Sequence, residues 1–123
     1  MSSSVDLTLP FGYLETLGRK TGVLRETEIW FTGEPGHVYL RSGGGVAKDW
    51  IRNAQRQPCV RFRIGDTWLT GTLRLVTNES ELDEHIRQLF AAKYPVVDFG
   101  NNPDQRNAWL TTSAPVAIDL DED

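Results

Sequence analysis

Gly18-Arg19-Lys20-Thr21-Gly22 is the stretch of this 123-residue chain whose residue types and spacing best support chemistry. Two glycines bracket three polar residues, the pattern of a tight turn between extended segments. Two adjacent cations at its tip repel one another unless an anion sits beside them. Alternation resumes beyond the turn, with Thr27, Ile29 and Phe31 set against Glu28 and Trp30, so a strand leaves it. A basic turn feeding a buried strand can hold a phosphate beside a flat ring. The same residues also make an ordinary hairpin tip whose Arg and Lys face water, and the turn alone does not choose between the two.

The elements that must position this turn can be read by period and punctuation. Residues 1–10 form a Ser-containing lead-in. Strands are predicted over 13–17, 26–32 and 37–42, with a turn at Gly33-Glu34-Pro35-Gly36. Gly43-Gly44-Gly45 breaks the sheet. A helix follows from Ala47 to Gln57, with Trp50, Ile51 and Ala54 on one face and Pro58 closing it. Cys59–Ile64 alternates Val60, Phe62 and Ile64 against Arg61 and Arg63, and a longer strand covers 68–76. Leu82, Ile86, Leu89 and Phe90 recur at helical spacing behind an acidic start and stop before Pro95. A loop at 99–103, a short helix over 104–110, a last strand over 115–120 and an acidic end at 121–123 complete the order. Meandering strands with inserted helices exclude a doubly wound parallel sheet, and six short strands suggest a small barrel.

Length and composition bound the function. The chain is one domain, and its 39% hydrophobic content is that of a globular protein. Net charge is −4, divided unevenly: residues 1–63 carry nine Lys/Arg against six Asp/Glu, residues 64–123 four against eleven. The acidic half argues against nucleic acid as a partner, while the basic half can line a local anion site or simply face water. No apolar run is long enough to span a membrane, and the start lacks the pattern of a signal peptide. The single cysteine, Cys59, allows no internal disulfide and reads as a small buried thiol. These features favour a reducing, cytoplasmic location. His37 and His85 lack ligand spacing, so no metal site is expected. The chain holds no nucleophile elbow, P-loop or dinucleotide fingerprint.

Four motifs resemble one known group. Gly18-Arg19-Lys20-Thr21-Gly22 resembles a Gly-(Arg/Lys)-(Lys/Arg)-(Ser/Thr)-Gly turn. Tyr39-Leu40-Arg41-Ser42-Gly43-Gly44-Gly45 resembles a strand ending in a Ser/Gly-rich bend. Asp49-Trp50-Ile51-Arg52-Asn53 is similar to a Trp-Tyr-His-Asn helix, and Gln57-Pro58-Cys59-Val60 to an Asn-Pro-x-Val strand entry. Together, over about residues 13–120, they resemble the deazaflavin (F420)-dependent nitroreductases of the split β-barrel, pyridoxamine phosphate oxidase-like superfamily. Two departures are visible: Thr27-Glu28-Ile29 stands where the group has Thr-Pro-Leu, and the stretch from Ser42 to Trp50 is about two residues shorter.

The resemblance implies a mainly β fold, a six-stranded split barrel with two to three helices. It implies an oxidoreductase moving hydride from reduced coenzyme F420 to an activated alkene, quinone or nitro acceptor. The partners it implies are a small-molecule acceptor and a second copy in a homodimer, with no membrane. By position, Arg19, Lys20 and Thr21 meet phosphate. Leu24, Arg25, Thr27, Glu28 and Ile29 line the ring and ribityl region. Ser42, Gly43, Gly44, Gly45, Lys48, Trp50 and Asn53 close the other side. Trp50 is equally readable as a core anchor and Lys48 as a surface cation. Tyr94 is the hydroxyl that the resemblance brings near the site as a proton donor; no catalytic base is named. The alternatives are an FMN-binding oxidoreductase of the same fold and a flavin- or deazaflavin-binding protein without turnover.

Overall fold

A computed structural model describes residues 5–43, 45 and 48–121. Seven strands form one sheet in the order β2-β1-β5-β6-β7-β4-β3. They are β1 (Gly12–Leu17), β2 (Leu24–Ile29), β3 (Phe31–Glu34), β4 (His37–Ser42), β5 (Cys59–Ile64), β6 (Thr67–Leu75) and β7 (Ala114–Leu120). Every pairing is antiparallel. Three helices, α1 (Asp49–Arg56), α2 (Ser80–Lys93) and α3 (Pro103–Thr112), and a 3-10 turn at Val96–Phe99 complete the domain. Among the described residues no helix is long and apolar enough to cross a membrane.

The expected count of six strands is corrected by one break. The segment read as a single strand over 26–32 divides at Trp30 into β2 and β3. β2 pairs with β1 at one end of the sheet order, and β3 pairs with β4 at the other. One bent segment therefore runs between the two edges and curls the sheet toward closure. The bend exposes Phe31 backbone groups that a continuous ladder would satisfy. Tyr94 Oη accepts from Phe31 N–H at 3.1 Å and lies 3.0 Å from Phe31 O and 2.8 Å from Pro10 O, to which it donates. Lys93 Nζ donates to Phe31 O at 2.8 Å and sits 3.5 Å from the centre of the Phe31 ring.

Strand alternation builds the inner core. Leu14, Phe31, Val38, Leu40, Phe62, Ile64, Val116 and Ile118 fill the concave side, with Trp50, Ile51 and Ala54 of α1 packed against them. Gly12 is required here, because a Cβ at that position would lie 2.2 Å from the Phe62 ring. The same alternation corrects the reading of Cys59, which is exposed: with Val60, Phe62 and Ile64 inward, it belongs on the Arg61 and Arg63 side. Ahead of β1, Val5, Leu7 and Leu9 pack on this core at period two. A second core lies under α2 and α3, where Tyr39, Ile86, Phe90, Tyr94, Phe99 and Leu110 meet.

The helix bounds differ modestly from expectation. α1 begins at Asp49, and Ala47 lies outside the described residues. α3 is longer than predicted at both ends. Asn102 caps it by accepting from Gln105 N–H at 3.1 Å, and Pro103 occupies the first turn, where no N–H is needed.

Burial pushes the Lys93 ammonium down to about 8 from an ordinary 10.5. Between about pH 8 and 10.5 the unfolded chain therefore binds the extra proton, and the contribution of Lys93 to stability rises with pH across that window. Urea denaturation of the parent and of Lys93→Met should show the parent gaining on the variant between pH 7.5 and pH 10. A gap independent of pH would mean that Lys93 is solvated in both states.

Candidate functional site

Two cavities lie on either side of the start of α1. The larger is a cleft of about 890 Å³, walled by β2 and the bend (Thr27, Glu28, Ile29, Trp30), the end of β4 (Arg41, Ser42, Gly43), and Lys48 and Trp50. The 3-10 turn and α3 close it with Asp98, Phe99, Gly100, Gln105, Ala108, Trp109 and Thr112. The smaller, about 220 Å³, is lined by Gly18, Arg19, Lys20, Thr21, Arg25, Asp49 and Asn53. Successive residues of α1 thus alternate between the two, as do Arg25 and Thr27 along β2.

The cleft is aromatic on one wall. The bend turns Trp30 onto Tyr94, ring centroids 4.4 Å apart and planes within 3°. Trp109 meets Trp30 at 5.6 Å, and Phe99 meets both edge-on or tilted. The adjoining wall is backbone at the end of β4: Ser42 Oγ donates to Gly45 O at 2.6 Å, and Gly43 lies so near Trp109 that an added Cβ would sit 3.4 Å from its Nε1. Flat apolar walls with a few polar groups suit a ring-shaped ligand.

The smaller pocket is an anion site by its donors, with three cations against one carboxylate. Its turn is closed by Gly22 N–H to Gly18 O and Gly18 N–H to Val23 O, both 2.8 Å. Gly22 adopts φ +70°, which favours glycine. Arg19 is drawn toward α1: its guanidinium donates to Asn53 Oδ1 at 2.8 Å and to Asp49 at 3.3 Å, and its backbone N–H reaches the same Asn53 oxygen at 3.2 Å. Lys20 and Arg25 have no ion-pair partner among the described residues. Among the described residues no three His, Cys, Asp or Glu side chains gather as a metal ligand set; His37 pairs with Asp119 and His85 with Glu34.

A family model described as F420H(2)-dependent quinone reductase matches residues 4–120. The chain belongs to this family. It is a family of oxidoreductases. No protein of curated function matches the chain in sequence. Among solved structures, an F420-H2 dependent reductase superposes with TM-score 0.66 at 21% identity, over 89% of this chain and 93% of that one. A chain solved as a domain-swapped dimer also gives 0.66 at 21% identity, covering 89% and 79%. A Listeria innocua protein assigned as a pyridoxamine 5'-phosphate oxidase gives 0.61 at 15%, covering 93% and 86%. These likenesses establish a shared fold.

Within the quinone reductase family frame, the expected site residues fall into three sets. Thr27, Glu28, Ile29, Ser42, Gly43, Lys48 and Trp50 line the cleft. Arg19, Lys20, Thr21, Arg25 and Asn53 line the smaller pocket. Leu24 and Gly45 line neither; Leu24 is an exposed residue of an edge strand. Gly44 lies outside the described residues. Trp50 proves to be both core anchor and cleft wall. Tyr94 is the main correction. Its hydroxyl is committed to Pro10 and Phe31, and desolvation raises it to about 12, so it clamps the bend instead of facing the cleft. Trp30, Phe99 and Trp109 were missed. Trp30 carried a local signal, since alternation sets it with Glu28 opposite the core-facing Ile29 and Phe31, but Phe99 and Trp109 arrive from distant sequence.

The pocket separates positional roles that stability can read. Lys20→Ala should leave the unfolding free energy from urea denaturation unchanged within about 0.5 kcal/mol. Asn53 is buried and orients Arg19, so Asn53→Ala should cost about 1–3 kcal/mol. Equal costs for the two would contradict the assignment of Lys20 as an unpartnered anion donor.

Proposed function

We propose that the chain is an F420-dependent oxidoreductase of the quinone reductase family, with the cofactor laid across the start of α1. The observation that carries the reading is that one short helix and one strand feed both cavities, an anion pocket and an aromatic cleft. The residues present fit the group. Lys20, Arg25 and Thr21 would hold a phosphate and carboxylate tail, with Arg19 aligned by Asn53. The backbone of Thr27–Ile29, Ser42–Gly43 and Trp50 would hold a flat ring. Reduced F420, when bound, supplies a hydride. The chain itself binds, orients and excludes water: Trp30, Phe99 and Trp109 form a dry wall over the space left for an acceptor. The acceptor class proposed is a quinone, with activated alkenes and nitro compounds as alternatives of similar shape. With the Tyr94 hydroxyl engaged at the bend, the proton that completes reduction comes from water at the cleft mouth.

The split-barrel class is part of the same proposal, supported by seven short antiparallel strands around one inner core, and we infer a homodimer from the domain-swapped neighbour. Trp30 and Trp109 are spent inside the aromatic cluster. Trp68 remains 38% exposed beneath Arg61 and Arg63. Light scattering at micromolar concentration should give twice the chain mass, and a monomer would remove the dimer from the account.

Fluorescence titration should show F420 binding at micromolar Kd or tighter and FMN more weakly, because FMN carries one phosphate and no further anions for Lys20 and Arg25. Mixing the protein with reduced F420 and menadione should oxidise the cofactor. Tighter FMN binding would favour the FMN reading, and F420 binding without turnover would favour a carrier.

A further inference from the structure

The outer wall of the cleft hangs on guanidinium groups. α3 supplies Trp109 and three other cleft residues, yet Leu110 is its one buried residue. A short helix with so little apolar burial needs other attachments. Arg106 donates to Tyr94 O at 2.9 Å and Ala91 O at 2.6 Å, the open carbonyls at the end of α2. Arg87 of α2 donates to Leu110 O at 3.1 Å. Arg41, rising from β4, donates to Ser113 Oγ at 2.7 Å and Ser113 O at 2.8 Å, at the C-cap of α3, and to Asp83 of α2 at 3.2 Å. Each cation meets carbonyls that a helix end leaves unsatisfied.

Arg41 differs from the other two. It reaches from β4 to the C-cap of α3 and to α2, and its side chain is 1% exposed. Burial lowers its pKa while Asp83 opposes the shift. A buried guanidinium is costly unless its donors are used, and all three of its nitrogens are engaged. The next residues in the chain, Ser42 and Gly43, line the cleft, and Gly43 lies directly against Trp109.

We propose that Arg41 is a specificity-determining positioning residue: by holding Ser113 at the C-cap of α3 it fixes that helix end over β4, and with it the place of Trp109 and Thr112 in the cleft wall, which sets the room left for the rings of the acceptor. The role rests on the oxidoreductase reading above. It requires no contact between Arg41 and acceptor. Removing Arg41 frees the end of α3 nearest Trp109 and leaves Ser113 O open, while Arg87 and Arg106 still hold the rest of the helix.

The test uses the full chain and two readouts. Amide hydrogen exchange without cofactor reports α3, and kcat/KM with reduced F420 compares menadione, a two-ring quinone, with one-ring benzoquinone. Arg41→Met should raise exchange in residues 103–112 at least tenfold while the β4–β7 ladder stays protected. It should also change the menadione-to-benzoquinone preference at least threefold, through KM. Ser113→Ala, which removes one acceptor, should shift both readouts less in the same direction, and decides the matter if Arg41→Met does not fold. Arg41→Lys should restore part of the preference. Unchanged α3 exchange, or a uniform loss of kcat with the preference intact, overturns the proposal. A parent protein that reduces neither quinone overturns the oxidoreductase reading itself and the acceptor role with it.

Discussion

The backbone of Phe31 is the point on which the rest of the structure depends. At the bend between β2 and β3 its N–H and C=O leave the ladder, and a buried peptide group without a partner costs about as much as a lost hydrogen bond. Tyr94 and Lys93, consecutive at the end of α2, supply those partners. This contact lets one segment serve both edges of the sheet. It also turns Trp30 out of the strand plane and onto the Tyr94 ring, so closure of the sheet and the aromatic wall of the cleft arise from one interaction.

The two layers of the domain are held by different forces. The inner core is apolar and its register follows from alternation, so a one-residue slip would turn Val60, Phe62 and Ile64 outward. The layer over β4 and β7 mixes apolar packing from α2 with hydrogen bonds from arginines to helix ends. Apolar packing tolerates small shifts in direction, whereas guanidinium bonds to carbonyls fix distance and angle. The sheet side of the cleft, where the cofactor ring is proposed to lie, is held by continuous antiparallel ladders. The wall facing the acceptor is the part whose position is set by a few polar contacts.

Much of the strand order was legible because alternation and turn residues are local signals. β1, β4, β5, β6, β7, α1 and α2 lie within about two residues of their expected bounds. The division at Trp30 was not legible, since the alternation through Glu28, Ile29, Trp30 and Phe31 runs unbroken and the bend is imposed by Tyr94, 63 residues away from Phe31. The basic turn and the end of β4 each line a cavity, and both were visible in the sequence as glycine-marked breaks between strands. The arrangement of Arg19 on Asn53 and the loss of Leu24 from both cavities depend on how α1 crosses the sheet, which no local pattern encodes. The position of Cys59 was available from the alternation of its own strand. The engagement of the Tyr94 hydroxyl at the bend was not legible, because its partners Pro10 and Phe31 are distant in sequence.

In the proposed function α1 joins an anion pocket to an aromatic cleft, and Lys20 and Arg25 read the charged tail of the cofactor. A cycle of binding measurements tests this most directly. F420 and a deazaflavin lacking the phosphate-bearing tail would each be titrated into the parent protein and into the Lys20→Ala/Arg25→Ala double variant. The account predicts that the parent prefers the full cofactor by at least tenfold, that the preference largely disappears in the double variant, and that the tail-less ring binds both proteins alike. Equal preference in the two proteins would contradict it and place the anion site elsewhere.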